Sequence, residues 1–442
     1  MKISPQVAMT LRQIMLMNFG FFGIQYSFGL QQTAINPIFS FLNADPGQLP
    51  ILNMAGPITG LLVQPIIGAL SDRTWIPGLG RRRPYFLIGA IGCSLCLFIY
   101  PHVTALWVAV LLLWLLDISN NTAMEPFRAF IADKVPEHQQ STGFLMQSVF
   151  TGLGITLANV SLYVFQQVGW LQQTSEAGIP YWVFGSFYIG AFCSIASVLV
   201  TVFSTPENEP SAEEMAALKA KREHSAVGEI FTAIKEMPFA LWQLALVYLF
   251  QWYALFIYWQ YISHSIVASV WNSTSADKAA YEQAVAWTGL VNGFYNIVTF
   301  ISAFGLMVMA KKYAAKYVHA FSVALAAIAL LTIPHISDKY MMFIPMIGFG
   351  IGWASMMGVP FMIVVHAIPK ERYGVYMGIV NMMIVIPMLI ETVTFGWIYD
   401  TFLGSNPANA MTFAGVFLAI AAFLTLLIKT TNKPAGVENN AA

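Results

Sequence analysis

The chain has 442 residues, 57% of them hydrophobic and 10% charged, with 21 Lys and Arg balancing 21 Asp and Glu. A soluble domain carries about a quarter charged residues, so water is not the main solvent of this chain. Zero net charge gives no electrostatic reason for a nucleic-acid partner, and three cysteines in apolar runs, Cys93, Cys96 and Cys193, argue against a disulfide framework or a zinc site.

A bilayer core about 30 Å thick needs roughly 20 apolar residues per helix. Runs of that length predict an all-α membrane protein with six spans near 14–41, 49–70, 84–101, 104–132, 142–166 and 181–203, and six more near 239–267, 284–309, 317–336, 340–367, 374–399 and 409–429. The first run, after Lys2 and Arg12, is too long for the apolar region of a cleavable signal and reads as a retained span. The longest polar stretch, Ser204 to Met237, divides the spans into an N-terminal bundle over 1–203, a linker over 204–238 and a C-terminal bundle with a short tail over 239–442. With the N-terminus in the cytoplasm, only Lys278 and Lys339 of the 21 basic residues fall outside and Arg128 lies within span 4, leaving 18 on the cytoplasmic side. That bias is what the positive-inside rule requires, so both termini are expected in the cytoplasm. Gly68 to Arg83 after span 2 is echoed faintly by Gly305 to Lys316 after span 8. Paired halves of this kind suggest a site near the midplane that opens alternately to each side.

In span 1, Asn18, Gln25 and Gln32 repeat every seven residues on one face, with Gln31 about a quarter turn away. Amides both donate and accept hydrogen bonds and suit a neutral polyol, though they also glue helices together. Span 4 holds the richest polar set, LLDISNNTAMEPFRAFIAD, in which Asp117, Asn121, Met124 and Arg128 share one face. Asp117 falls near the bilayer middle, where a carboxyl is either a reversible proton carrier or a fixed acid held by Asn120 or Asn121. Asp117 and Arg128 are about 16 Å apart along the helix, so Glu125, one turn before Arg128, is the natural local partner, as a clamp or as a gate. The aromatic string of span 7, Phe250 to Tyr261, offers rings for stacking on a sugar or for ordinary packing. Candidate sugar contacts are therefore Gln25, Gln31 and Gln32 of span 1, Gln64 of span 2, Asn121 of span 4, Trp259 of span 7, Asn292 and Asn296 of span 8, and Asn381 of span 11. The GFGIG string at Gly348 to Gly352 lies inside an apolar span with no preceding strand, which makes it helix packing and not a nucleotide loop. Neither His264 nor His366 has metal-ligand spacing, so no enzyme and no cofactor is expected.

The chain resembles the sucrose–proton symporters of plants and their animal and bacterial relatives, within the glycoside branch of the major facilitator superfamily. Gly23 to Gln31 (GIQYSFGLQ), Gly56 to Pro65 (GPITGLLVQP) and the SDR and GRRRP strings are similar to that family's first two spans and first cytoplasmic loop. In span 4, Asp117, Asn120, Asn121, Thr122, Pro126, Arg128, Ala129, Ala132 and Asp133 follow the family pattern, and Gly378, Asn381, Ile386 and Pro387 echo its span 11. The resemblance implies a major facilitator fold and proton-coupled uptake of a disaccharide or α-glucoside, maltose or sucrose, with the proton as coupling ion, Asp117 as its site and Arg128 needed for transport. It also implies a conformational latch at Asp72, Arg73, Arg81, Arg82 and Arg83. Plant members carry acids near the end of span 7, where this chain has Trp259 to Tyr261, and Glu125 stands where the family usually has a small residue. Compact loops look like those of bacterial members, so a multi-pass inner-membrane monomer is expected. A sodium-coupled carrier, by comparison with melibiose carriers, would place paired acids in span 2, which has none between Leu49 and Leu70. Uncoupled facilitation is the other alternative.

Overall fold

The computed structural model describes residues 8–136, 139–168, 173–207, 209, 232–368 and 373–429; most of the linker and the C-terminal tail lie outside them. Twelve long helices carry the described chain: α1 (Leu11–Phe41), α2 (Ala55–Arg73), α3 (Arg83–Ile99), α4 (Leu106–Lys134), α5 (Gln140–Gln167), α6 (Tyr181–Ser204), α7 (Phe239–Val270), α8 (Lys278–Lys312), α9 (Ala315–Thr332), α10 (Phe343–Ala367), α11 (Tyr373–Thr401) and α12 (Pro407–Leu426). In hydrocarbon no water can satisfy a backbone N–H or C=O, so a spanning segment must pair them internally, and helices do this within one segment. Helix starts are read from side chains: Thr10 and Gln13 form a capping box for α1, Asp277 caps α8, and Asn406 caps α12 ahead of Pro407.

Eleven helical regions are long and apolar enough to cross a membrane, and α1 is not among them. Its interior carries Asn18, Gln25, Ser27, Thr33 and Asn36, all buried, which lowers its hydropathy because the helix turns polar groups toward its neighbours. The apolar stretch of span 2 runs over Pro46–Gly68, but it is not one helix: Leu49–Leu52 is a separate single turn, and α2 starts at Ala55, after Asn53 donates its amide to Asn36 Oδ1 at 2.6 Å. Span 8 starts earlier than 284, at Lys278, because the Asp277 cap sets the first turn.

The chain divides into two compact units, Met1–Ala44 with Leu52–His224, and Asp45–Ile51 with Ser225–Ala442. In the first, α1 packs on α5 and α6, while α4 packs on α2 and α3. Its core stacks Phe86 on Phe127, ring centroids 3.9 Å apart, beside Phe21, Ile24, Phe130 and Val198. Thr201 of α6 accepts from the Gly20 amide at 2.8 Å and donates to the Leu16 carbonyl at 2.9 Å, a polar tie from α6 to α1. In the second unit α9 packs against α10 and α12, and α7 against α12 and α11. The segment Asp45–Ile51 belongs here because Tyr261 donates its hydroxyl to the Pro46 carbonyl at 2.7 Å and Gly47 lies against Asp400 and Gly396. Large apolar side chains such as Trp107, Phe192, Phe203, Val308 and Trp397 are exposed, as a lipid-facing surface requires.

α1 and α6 pack tightly at Gly23, where an added Cβ would lie 2.2 Å from the Cys193 carbonyl oxygen and 2.3 Å from Ser197 Oγ. The obstacle is backbone, so the helices must separate to admit a side chain. Gly23→Val is expected to cost about 3 kcal/mol, at the upper end for overpacking. It should appear as a lower thermal midpoint and loss of the monodisperse peak in detergent, while Gly56→Ala, whose Cβ meets nothing within 4 Å, should leave both unchanged.

Candidate functional site

Asp117 lies on α4 and is 2% exposed. Its Oδ1 accepts from Gln31 Nε2 of α1 at 2.5 Å. Its Oδ2 accepts from the Thr59 hydroxyl of α2 and from Asn121 Nδ2, one turn along α4, at 3.1 Å. Gln64 of α2 donates to Asn121 Oδ1 at 2.7 Å and so fixes the amide that faces the acid. On the other side Gln31 Oε1 accepts from Asn120 Nδ2 at 3.0 Å, and the Cys93 thiol of α3 donates to Asn120 Oδ1 at 3.1 Å. Four helices thus contribute to one continuous polar network whose centre is a carboxyl with three donors. Thr59 Oγ1 also lies 3.2 Å from the Gly56 carbonyl, so its single hydrogen has two acceptors within reach.

Of the predicted residues, Gln31, Gln64, Asp117 and Asn121 meet here. Gln25 is buried apart from them, with its amide 3.4 Å from Met124 Sδ. Gln32 is half-buried and makes no hydrogen bond to a described residue. The predicted amide face of α1 is therefore not the one that reaches the acid; Gln31, a quarter turn off it, is. Glu125 and Arg128 form their expected local pair at 3.4 Å, partly exposed and separate from the network.

In the C-terminal unit Tyr258 donates to Asn292 Oδ1 at 2.7 Å and Asn296 donates to the Asn292 carbonyl at 2.9 Å, both asparagines buried. Trp259 of α7 stands edge-on to Trp353 of α10, centroids 5.6 Å apart, and Asn381 of α11 is half-buried. His319 of α9, buried, bridges Ser355 at 2.9 Å and Gln251 Oε1 at 3.1 Å. That oxygen only accepts, so the imidazole proton is assigned to Nε2, with Nδ1 accepting from the serine.

Of the predicted latch residues, Arg82 and Arg83 lie where the α2–α3 loop meets the end of α6. Arg82 Nε contacts Asp133 Oδ2 at 2.8 Å and its Nη1 donates to Ser71 at 2.6 Å. Arg83 donates to the carbonyls of Val202 and Gly78 at 2.8 and 3.1 Å. The backbone amides of Arg82 and Arg83, at the start of α3, both donate to Glu207 Oε1, at 2.9 and 3.1 Å. A carboxylate from beyond α6 therefore caps α3, satisfying amides that open a helix and complementing its dipole. Gly80, at φ +88°, makes room for it: a Cβ there would lie 2.6 Å from Glu207 Oε1. Arg81 is half-buried, and the side chains of Asp72 and Arg73 lie outside the described residues. No cluster of metal-ligating side chains occurs among the described residues.

The sequence pattern of the Major Facilitator Superfamily matches residues 17–392. The chain belongs to the Major Facilitator Superfamily. Among curated proteins, this facilitator chain is similar to the sucrose transport protein SUT5 of Oryza sativa subsp. indica, 24% identical over 95% of this chain and 87% of the relative. It is similar also to the sucrose transport protein SUC4 of Arabidopsis thaliana, 24% identical over 93% of this chain and 89% of the relative. Among solved structures, the nucleoside transporter NupG shares the fold with a TM-score of 0.68 at 14% identity, covering 95% of this chain and 99% of that one. A POT family transporter in complex with 5-aminolevulinic acid gives 0.69 at 13%, covering 94% and 96%. Homologues and fold neighbours alike are membrane transporters and not enzymes.

Two neighbours of the predicted residues in this facilitator chain escaped sequence reasoning. Thr59 stands in an apolar helix, where a hydroxyl ordinarily bonds to a carbonyl one turn back, so nothing in its spacing announced a bond to Asp117. Glu207 sits in an acidic stretch that reads as linker; the signal was the basic run Arg81 to Arg83, which needs an acid somewhere. Thr59→Val keeps the shape and removes one donor from a buried acid, and is expected to cost about 1 to 3 kcal/mol. Thr59→Ser should retain the parent's thermal midpoint in detergent, and equal midpoints for the two variants would contradict the network. Glu207→Ala should lower the midpoint by the equivalent of about 1 kcal/mol, typical of a lost cap, with Glu207→Asp intermediate.

Proposed function

We propose that this chain is a proton-coupled symporter that imports a disaccharide or α-glucoside, of the maltose or sucrose class, by alternating access. The observation that carries the reading is Asp117, a buried acid on α4 held by Gln31, Thr59 and Asn121, in a facilitator chain similar along almost its whole length to sucrose transport proteins.

Three donors suit the charged form of Asp117, and the network also has a way to accept the neutral one. When a proton arrives on Oδ2, the acid becomes a donor to Thr59 Oγ1, and the Thr59 hydrogen turns to the Gly56 carbonyl. No other side chain has to move. Proton uptake at Asp117 with the chain open outward, followed by sugar binding, removes the net charge from the hydrocarbon and permits the switch inward. One charge moving down the membrane potential contributes about 2.3 kcal/mol per 100 mV, enough to accumulate sugar. Candidate sugar contacts in the N-terminal unit are Gln25, Gln31, Gln32, Gln64 and Asn121. Those in the C-terminal unit are Trp259, Asn292, Asn296 and Asn381. The Glu125–Arg128 pair serves as a clamp or as a gate, and Asp72, Arg73, Arg81, Arg82 and Arg83 form the conformational latch, with Asp133 and Glu207 as acidic partners of Arg82 and Arg83. The protein works as a monomer in the plasma membrane, with both termini in the cytoplasm.

The test is uptake of labelled maltose and sucrose into proteoliposomes under an imposed inward proton gradient, parent against Asp117→Asn. Accumulation should collapse with a protonophore and be absent in the variant, while downhill exchange survives. Undiminished accumulation by the variant moves the proton site elsewhere, equal uptake with and without the gradient makes the chain a facilitator, and no uptake of either sugar by folded parent protein rejects the cargo.

A further inference from the structure

Two carboxyl side chains are buried among the described residues, Asp117 and Glu391. Glu391 lies on α11, with no exposed surface. It receives one hydrogen bond, from Gln260 Nε2 of α7 to its Oε2 at 3.2 Å. Its Oε1 and the Oε1 of Gln260 are both shielded from solvent, and neither has a hydrogen-bond partner. No described Lys, Arg or His lies within ion-pair distance of Glu391. The tyrosines of α7 nearest to it are committed elsewhere: Tyr253 pairs at 2.8 Å with Thr394, whose own hydroxyl donates to the Ile390 carbonyl, and Tyr261 donates to the Pro46 carbonyl. The charged groups beyond Tyr261, Asp45 and Asp400, are acids and supply no compensating charge.

An ionised carboxylate with one neutral donor and no cation is heavily penalised in a dry interior, and an amide carbonyl beside it stays unsatisfied. Both orphan atoms are acceptors, so no rearrangement of the ionised pair can satisfy either one from the other. A single proton satisfies both. A carboxylic acid and a primary amide pair through two parallel bonds, N–H to one carboxyl oxygen and O–H to the amide oxygen, and the existing bond already provides the first half of that ring.

We propose that Glu391 is a proton-holding site of the C-terminal unit, carrying its proton on Oε1 and donating it to Gln260 Oε1. The proton is taken from water and stays on the acid through the working cycle. This separates it from Asp117, whose three donors and switchable Thr59 hydroxyl accommodate both protonation states. The inference needs neither the sugar nor the coupling assigned above, and its test uses no cargo.

Infrared spectra of the full-length protein in lipid, at neutral pH, should contain a protonated-carboxyl C=O band that shifts on deuteration and is missing in Glu391→Gln. That variant replaces the acid–amide ring by an amide–amide ring with the same two bonds, so its thermal midpoint should match the parent's. Glu391→Ala, which removes the ring, should lower it. Gln260→Leu should keep the band but move it to higher wavenumber, because the acid loses its acceptor; this variant decides the matter if Glu391→Gln does not fold. A parent spectrum without such a band, or a band unmoved by both Glu391→Gln and Gln260→Leu, overturns the proposal.

Discussion

Inside a bilayer a polar group has no water to fall back on, and this constraint orders the whole molecule. It makes every span a helix, and it turns each polar side chain inside a span into a demand for a partner on a neighbouring helix. In α1 the demand is heaviest. Thr33 donates to Asn159 of α5, Tyr26 pairs with Ser161 of α5, Gly20 is tied to Thr201 of α6, and Gln31 reaches Asp117 of α4. The helix that fails as an isolated apolar span is thus the one that organises the N-terminal unit. Its stability comes from partners and not from lipid.

The same constraint explains what could be read in the sequence. Span existence was legible because apolar length is a one-dimensional property. The site was half legible. Asp117 and its Asn121 announce themselves within one helix, at a spacing of one turn. Partners on other helices do not: Thr59 and Cys93 are ordinary residues of apolar runs until α2 and α3 are laid against α4. The helix break inside span 2 was not legible because hydropathy runs unbroken across Asn53, while the backbone turns there and Asn53 reaches Asn36. Glu207 lay hidden for a different reason. Its work is done by one oxygen on two backbone amides, and backbone amides carry no signature in sequence.

Charge at the loop end and charge at the midplane are handled in opposite ways. Arg82 and Arg83 keep their charge, and the fold surrounds them with Asp133, Glu207, Ser71 and two carbonyls, so that positive groups, negative groups and a helix dipole compensate one another. Near the middle of the spans no cation is supplied to either buried acid. Each acid must be stabilised by neutral donors or lose its charge, and the number of donors decides between the two.

The donor counts are unequal. Gln31 spends its amide nitrogen on Asp117 and its oxygen on Asn120, and a proton on the acid is directed to Thr59 instead. Gln260 spends its nitrogen on Glu391 and keeps its oxygen free. One amide therefore serves an acid in either protonation state, and the other is complete only beside an acid that keeps its hydrogen. Two glutamines, each about two-thirds of the way along the first long helix of its unit, set two carboxyl groups to different tasks. The difference comes from what the far end of each amide touches, not from the acids themselves.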